Sequence, residues 1–162
     1  MRDFSQLFST SPQLTLHMRN ILIEWLIEVH NKMALRYETL YLTIFLVDKF
    51  CSRREVFKSE YQLLAMACLF IAGKYEEVAT PKLKKIINLC DKLYDSSDVL
   101  KMESELLLEL NFKISQPSLN WFISFQLFVV SNSQDEENNQ VTTSSMEKFK
   151  RTSYYVTELC LF

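Results

Sequence analysis

Apolar side chains recur along His17–Val29 with no Gly or Pro among them. At roughly 100° per residue they cover more of a helical surface than the single stripe of an ordinary surface helix. Around Arg19 such a helix places Leu22, Ile23, Leu26 and Ile27 on both sides, while Asn20, Glu24 and Glu28 share a separate polar arc. The arginine is thus predicted to sit in apolar surroundings. A guanidinium cannot shed its charge, so its burial demands a carboxylate of matching fork geometry from elsewhere in the chain. The stripe of Met18, Ile21, Leu22, Trp25 and Val29 exceeds what one small neighbour covers, which leaves two readings: the central helix of a bundle, or a docking groove.

The same periodicity predicts the remaining elements. Residues 1–13 read as a polar lead-in, and Thr15 as a cap for the first helix, which runs to about Met33. Tyr37-Glu38-Thr39 opens a second helix through Leu40, Tyr41, Ile44, Phe45, Val47 and Phe50. Asp48, a carboxylate inside that apolar pattern, is the predicted partner of Arg19. After the charged connector Ser52-Arg53-Arg54-Glu55, Ser59-Glu60-Tyr61-Gln62 has the form of a capping box. It precedes a third helix whose small residues Ala65, Cys68 and Ala72 permit close approach. Thr80-Pro81 predicts the start of a fourth helix, and Asp95-Ser96-Ser97 that of a fifth, with Val99, Leu100, Leu106, Leu107 and Leu110 on its buried side. These five helices form one predicted unit over residues 14–116.

Gln116-Pro117-Ser118 breaks the chain and caps a further helix, Leu119 to Val130, which opens a second unit over residues 117–162. The polar stretch Ser131–Ser145 is expected to be a mobile loop. Ser144-x-x-Glu147 then suggests a capping box for a final helix, Met146–Phe162, whose apolar face looks unfinished.

Composition narrows the class. One glycine and three prolines in 162 residues leave little for hairpins and nothing for a phosphate-cradling loop, so the fold is predicted to be all-α. A formal net charge of -2 speaks against a nucleic-acid binder. Cys51, Cys68, Cys90 and Cys160 lie far apart and read as reduced residues of an intracellular protein. The longest apolar run, Leu63 to Ala72, is too short for a membrane span, and no targeting segment is apparent. His17 and His30 lack a third ligand nearby, and no Ser/His/Asp or Cys/His spacing suggests catalysis, so neither enzyme activity, metal nor cofactor is expected.

Four separated motifs then carry a resemblance. Met18-Arg19-x-Ile21-Leu22-Ile23-Glu24-Trp25-Leu26-Ile27-Glu28-Val29, Val47-Asp48-Lys49-Phe50, Ala72-Gly73-Lys74-Tyr75-Glu76-Glu77 and Met102-Glu103 resemble, in content and order, the cyclin box of the mitotic A- and B-type cyclins. The likeness runs from about Pro12 to Pro117. Pro117-Ser118-Leu119-Asn120 through Phe162 resembles, more weakly, the first two helices of the second cyclin box, a repeat that breaks off here.

The resemblance implies a regulatory subunit that activates a cyclin-dependent protein kinase during cell division, in nucleus and cytoplasm, without membrane or nucleic-acid partners. The family's signature set corresponds to Arg19, Asp48, Leu63, Lys74 and Glu103. Arg19 with Asp48 would be the internal ion pair. Lys74 and Glu103 would reach the kinase beside its C helix, with Ile71, Tyr75, Leu107 and Phe112 packing on that helix. A docking patch for Arg-x-Leu segments of substrates or inhibitors would comprise Met18, Ile21, Leu22, Trp25 and Gln62 for the leucine, and Glu28 and Asp91 for the arginine. Departures from the family pattern are Asn20 in place of Ala, Ala79-Thr80-Pro81 in place of a Pro-Pro pair, a long 131–145 segment, and no Lys-Glu-Asn box ahead of the fold. The competing readings are a cyclin-fold transcription-factor-like module using Lys82, Lys84 and Lys85, and a peptide-docking scaffold that activates nothing.

Overall fold

The computed structural model describes residues 10–90, 93–117, 119–132 and 139–162. Among them every regular element is an α-helix: α1 (Leu16–Met33), α2 (Tyr37–Cys51), α3 (Lys58–Glu76), α4 (Leu83–Asn88), α5 (Ser96–Glu109), α6 (Leu119–Asn132) and α7 (Asn139–Leu159). The chain divides into two compact units between Gln116 and Pro117.

In the first unit α3 is the hub, since α1, α2, α4 and α5 all pack on it. It buries ten residues between Tyr61 and Gly73, including the small Ala65, Ala67, Cys68 and Ala72 that bring neighbouring backbones close. This corrects the reading of α1 as the central helix. α1 buries six of its 18 residues, and Leu16 and Ile21 stay exposed. Of its apolar stripe, Ile21 is exposed and Met18 and Trp25 are half-buried, whereas Leu22 and Val29 are buried. Thr15 caps α1 as expected, its hydroxyl oxygen accepting from Met18 N–H at 3.2 Å, and Ala34 ends the helix in the left-handed conformation at φ 53°.

Other local expectations fail for identifiable reasons. Ser59 lies inside the first turn of α3, whose N-cap is Phe57, so the expected capping box does not form. Thr80 does not cap α4, which starts at Leu83. Pro81 is instead buried against Gly73, where an added Cβ would come within 2.8 Å of its Cδ and closer still to its Cγ. The chain's one glycine is thus a contact made possible by the missing side chain. α5 carries a reciprocal capping box between Asp95 and Asp98, and Leu100, expected on its buried side, is 45 % exposed.

Part of the supposed lead-in belongs to the fold. The Ser11 hydroxyl is buried, accepts from Val56 N–H at 3.0 Å and donates to the Arg54 carbonyl at 3.2 Å. The charged connector is also strapped down: Arg54 pairs with Glu105 at 2.8 Å and Arg53 donates to the Glu109 carbonyl at 3.3 Å.

In the second unit α6 packs on α7, and Trp121 stacks on Phe125 with ring centroids 5.6 Å apart. Phe122, Phe128, Phe149, Tyr155 and Leu159 are exposed. α6 continues to Asn132 and α7 begins at Asn139, so helix occupies residues expected to be loop, and Ser144 lies within α7 rather than at its cap. The rest of that expected loop, residues 133–138, lies outside the described residues, as do Ser118 and Asp91.

Candidate functional site: an ion-paired ridge and a helix-lined dock

The apolar wheel of α1 turns Arg19 inward, and α2 presents Asp48 to it. Arg19 Nε and Nη2 donate to Asp48 Oδ1 and Oδ2, each at 2.9 Å, with the side chains 4 % and 8 % exposed. This is the fork-on-fork arrangement that a buried guanidinium requires. Groups beside the pair are shifted mainly by burial. Burial and the Asp48 charge push the Cys51 thiol up to about 12, and burial, then the neighbouring Cys51 and Asp48, raises the Tyr61 hydroxyl well above its ordinary range.

A second ion pair lies at the surface. Lys74, in the last turn of α3, pairs with Glu103 in the middle of α5, and its ammonium also stands 4.4 Å from the Phe70 ring centroid. Glu103 is nearly buried and Lys74 is exposed, so the pair shows its cationic end outward. Tyr75 and Phe112 are 53 % and 65 % exposed, and Leu107 is half-buried. Phe112 adopts φ 56° directly after Asn111 at φ 50°. A bulky aromatic in that conformation is strained by about 1–3 kcal/mol, which the α5 terminus sustains by a Phe112 N–H to Leu107 carbonyl bond of 2.9 Å. Of the residues expected to reach a kinase, Ile71 and Glu103 are buried, at 3 % and 7 % exposure, whereas Lys74, Tyr75 and Phe112 are exposed.

Beyond Tyr75 the two glutamates diverge. Glu77 accepts from the backbone N–H of Arg36 at 2.7 Å and from the Thr39 hydroxyl at 2.6 Å, capping the start of α2 and fixing the end of α3. Glu76 stays half-buried, and burial, followed by the nearby Glu38, holds its carboxyl above the usual range. The clamp by Glu77 was not legible in the sequence, because it links segments about forty residues apart.

Along α1, Trp25, Glu28 and Gln62 line one cavity of about 570 Å³ together with Leu89, Cys90 and the exposed Leu93. Ile21 is 52 % exposed and Met18 half-buried on the preceding turns of α1, whereas Leu22 is 8 % exposed and nearly covered. Lys32, which the sequence reading passed over, also lines this cavity and reaches Glu28 at 3.8 Å across an exposed helix turn. An aromatic wall, aliphatic steps and a carboxylate rim suit a peptide with a cationic and an apolar side chain. Among the described residues no group of His, Cys, Asp and Glu can hold a metal ion, and no helix is long and apolar enough to cross a membrane.

Residues 2–115 match the family described as cyclin, N-terminal domain. The G2/mitotic-specific cyclin-A of Patella vulgata is 40 % identical over 111 residues, which make up 68 % of this chain and 26 % of that protein. Cyclin-B2-1 of Arabidopsis thaliana is 46 % identical over 101 residues, 62 % of this chain and 24 % of its own. The chain thus spans about a quarter of the length of these curated relatives. A viral cyclin from herpesvirus saimiri, solved by X-ray crystallography, superposes with a TM-score of 0.71 at 19 % identity, covering 83 % of this chain and 58 % of the viral one. Fold, motif order and relatives agree: the chain belongs to the cyclin family, with similarity to mitotic cyclins of the A and B types.

Proposed function

We infer that this chain is a non-catalytic regulatory subunit that binds a cyclin-dependent protein kinase beside its C helix and stabilises the active arrangement, acting in cell division in nucleus and cytoplasm. The observation that carries the reading is the Lys74–Glu103 pair between α3 and α5, bordered by solvent-exposed Tyr75 and by Phe112 held in a strained turn. A rigid helical surface with aromatic anchors and a charge pair supplies binding energy without chemistry, and such energy shifts a kinase between inactive and active states only through differential contact with the two. The cavity at Trp25, Glu28 and Gln62 is the dock for Arg-x-Leu segments of substrates or inhibitors, which raises their local concentration near the kinase. A net charge of -2 gives no support to a nucleic-acid partner.

The test is to mix the chain with a panel of purified cyclin-dependent kinases and follow phosphorylation of a protein substrate. Activation of at least one kinase, lost on Lys74→Ala or Glu103→Ala, is the expected result. Absence of both binding and activation across the panel would refute the reading, and binding without activation would leave a scaffold.

A further inference from the structure

The peptide dock does not end at Glu28. Lys32 and Leu89, which line the cavity at Trp25, also line a second one of about 830 Å³, between the α1–α2 turn and the α3–α4 segment. The two cavities therefore adjoin within the first unit, with Lys32 and Leu89 as their shared wall. The charge on the second is cationic: Lys32, Arg36, Lys82 and Lys85 line it, against the single carboxylate of Glu77. That carboxylate is engaged in capping α2, and the Arg36 guanidinium is shared with Glu38 at 3.6 Å and with the Glu76 carbonyl. Lys82 and Lys85 are exposed and make no ion pair to any described residue.

Building on the Arg-x-Leu reading of the dock, we propose that this pair of cavities selects peptides with acidic residues immediately N-terminal to the Arg-x-Leu core. Direction follows from α1. The leucine positions, Met18 to Trp25, come first, the arginine position at Glu28 follows, and Lys32 lies one turn further, about 6 Å along the axis. A peptide laid along that line runs from its leucine back through its arginine and then over Lys32 toward Lys82 and Lys85. At about 3.3 Å per extended residue, the step of about 6 Å from Glu28 to Lys32 alone takes up about two residues. Carboxylates there meet Lys82 and Lys85, which make no ion pair to any described residue, whereas acidic residues C-terminal to the leucine run away from these lysines.

Fluorescence anisotropy with the full chain tests this, using labelled peptides that share one neutral Arg-x-Leu core. The core is extended on its N-terminal side by Gly/Ser, by Asp/Glu or by phosphoserine, or on its C-terminal side by Asp/Glu. The N-terminal acidic peptide is expected to bind about five- to tenfold more tightly than the Gly/Ser peptide at low ionic strength, as two or three exposed charge pairs allow. The gain should shrink toward unity at 0.5 M salt, where screening shortens to about 4 Å, and vanish in the exposed double variant K82A/K85A while the Gly/Ser peptide binds that variant unchanged. Equal gain from either end, gain that survives K82A/K85A, or tightening by phosphoserine alone would overturn the proposal. Failure of the neutral core to bind would overturn the dock reading itself, an outcome separable from loss of the acidic increment.

Discussion

Arg19 and Asp48 are joined by two parallel hydrogen bonds of 2.9 Å across the α1–α2 contact, both side chains withdrawn from water. Each charge is tolerated there because the other is present. Asp48→Ala is expected to destabilise the chain by about 3–5 kcal/mol, because it strands a guanidinium that cannot deprotonate. Chemical denaturation checks this, and an unchanged midpoint would show that the pair contributes nothing.

That pair was legible from one helix alone. A permanently charged residue flanked by Leu22, Ile23 and Leu26 requires an acid, and Asp48 stood within the next apolar pattern. Thr15 was equally legible, since capping is settled within three residues. The identity of the hub was not: α1 and α3 are both apolar, and only three-dimensional packing decides that α3 is enclosed while α1 keeps Ile21 and Trp25 near solvent. Thr80-Pro81 misled for a similar reason, because the contact of Pro81 with Gly73 outweighs its preference for a first helical position. The engagement of Lys74 by Glu103 and the Glu77 clamp are long-range pairings that periodicity cannot express. Lys32 beside Glu28 carries no signal of its own in the sequence, since a lysine on a helix surface is ordinary.

Gly73→Ala sets two effects against each other. Alanine favours a helix interior over glycine by about 1 kcal/mol, but the new Cβ would collide with the Pro81 ring. A rigid ring in a buried site cannot swing aside, so the overpacking cost of about 1–3 kcal/mol is expected to win and the melting temperature to fall. In the double variant G73A/P81A most of that loss should be recovered. Non-recovery would locate the cost elsewhere.

Glu76 gives a pH-dependent expectation. Its folded carboxyl holds a proton more strongly than the unfolded one, through burial and Glu38. The stability associated with this group is therefore present below the unfolded value and is lost as pH rises through the folded one. Glu76→Gln should raise the melting temperature at neutral pH, with the difference disappearing as pH falls below about 4.3, the ordinary glutamate value. Thermal melts of both proteins between pH 4 and pH 8 test this, and a difference that grows on acidification would contradict it.

The central claim, that Lys74 and Glu103 face a kinase rather than merely each other, is tested most directly by exchanging their charges. In K74E/E103K the internal pair is retained with its polarity reversed, so the melting temperature should stay within a few degrees of the original, while affinity for the activated kinase, measured by titration calorimetry, should fall at least about tenfold, the equivalent of 1.4 kcal/mol. Kinase affinity equal to that of the unaltered chain would show that the two residues serve only the fold, and would contradict the account.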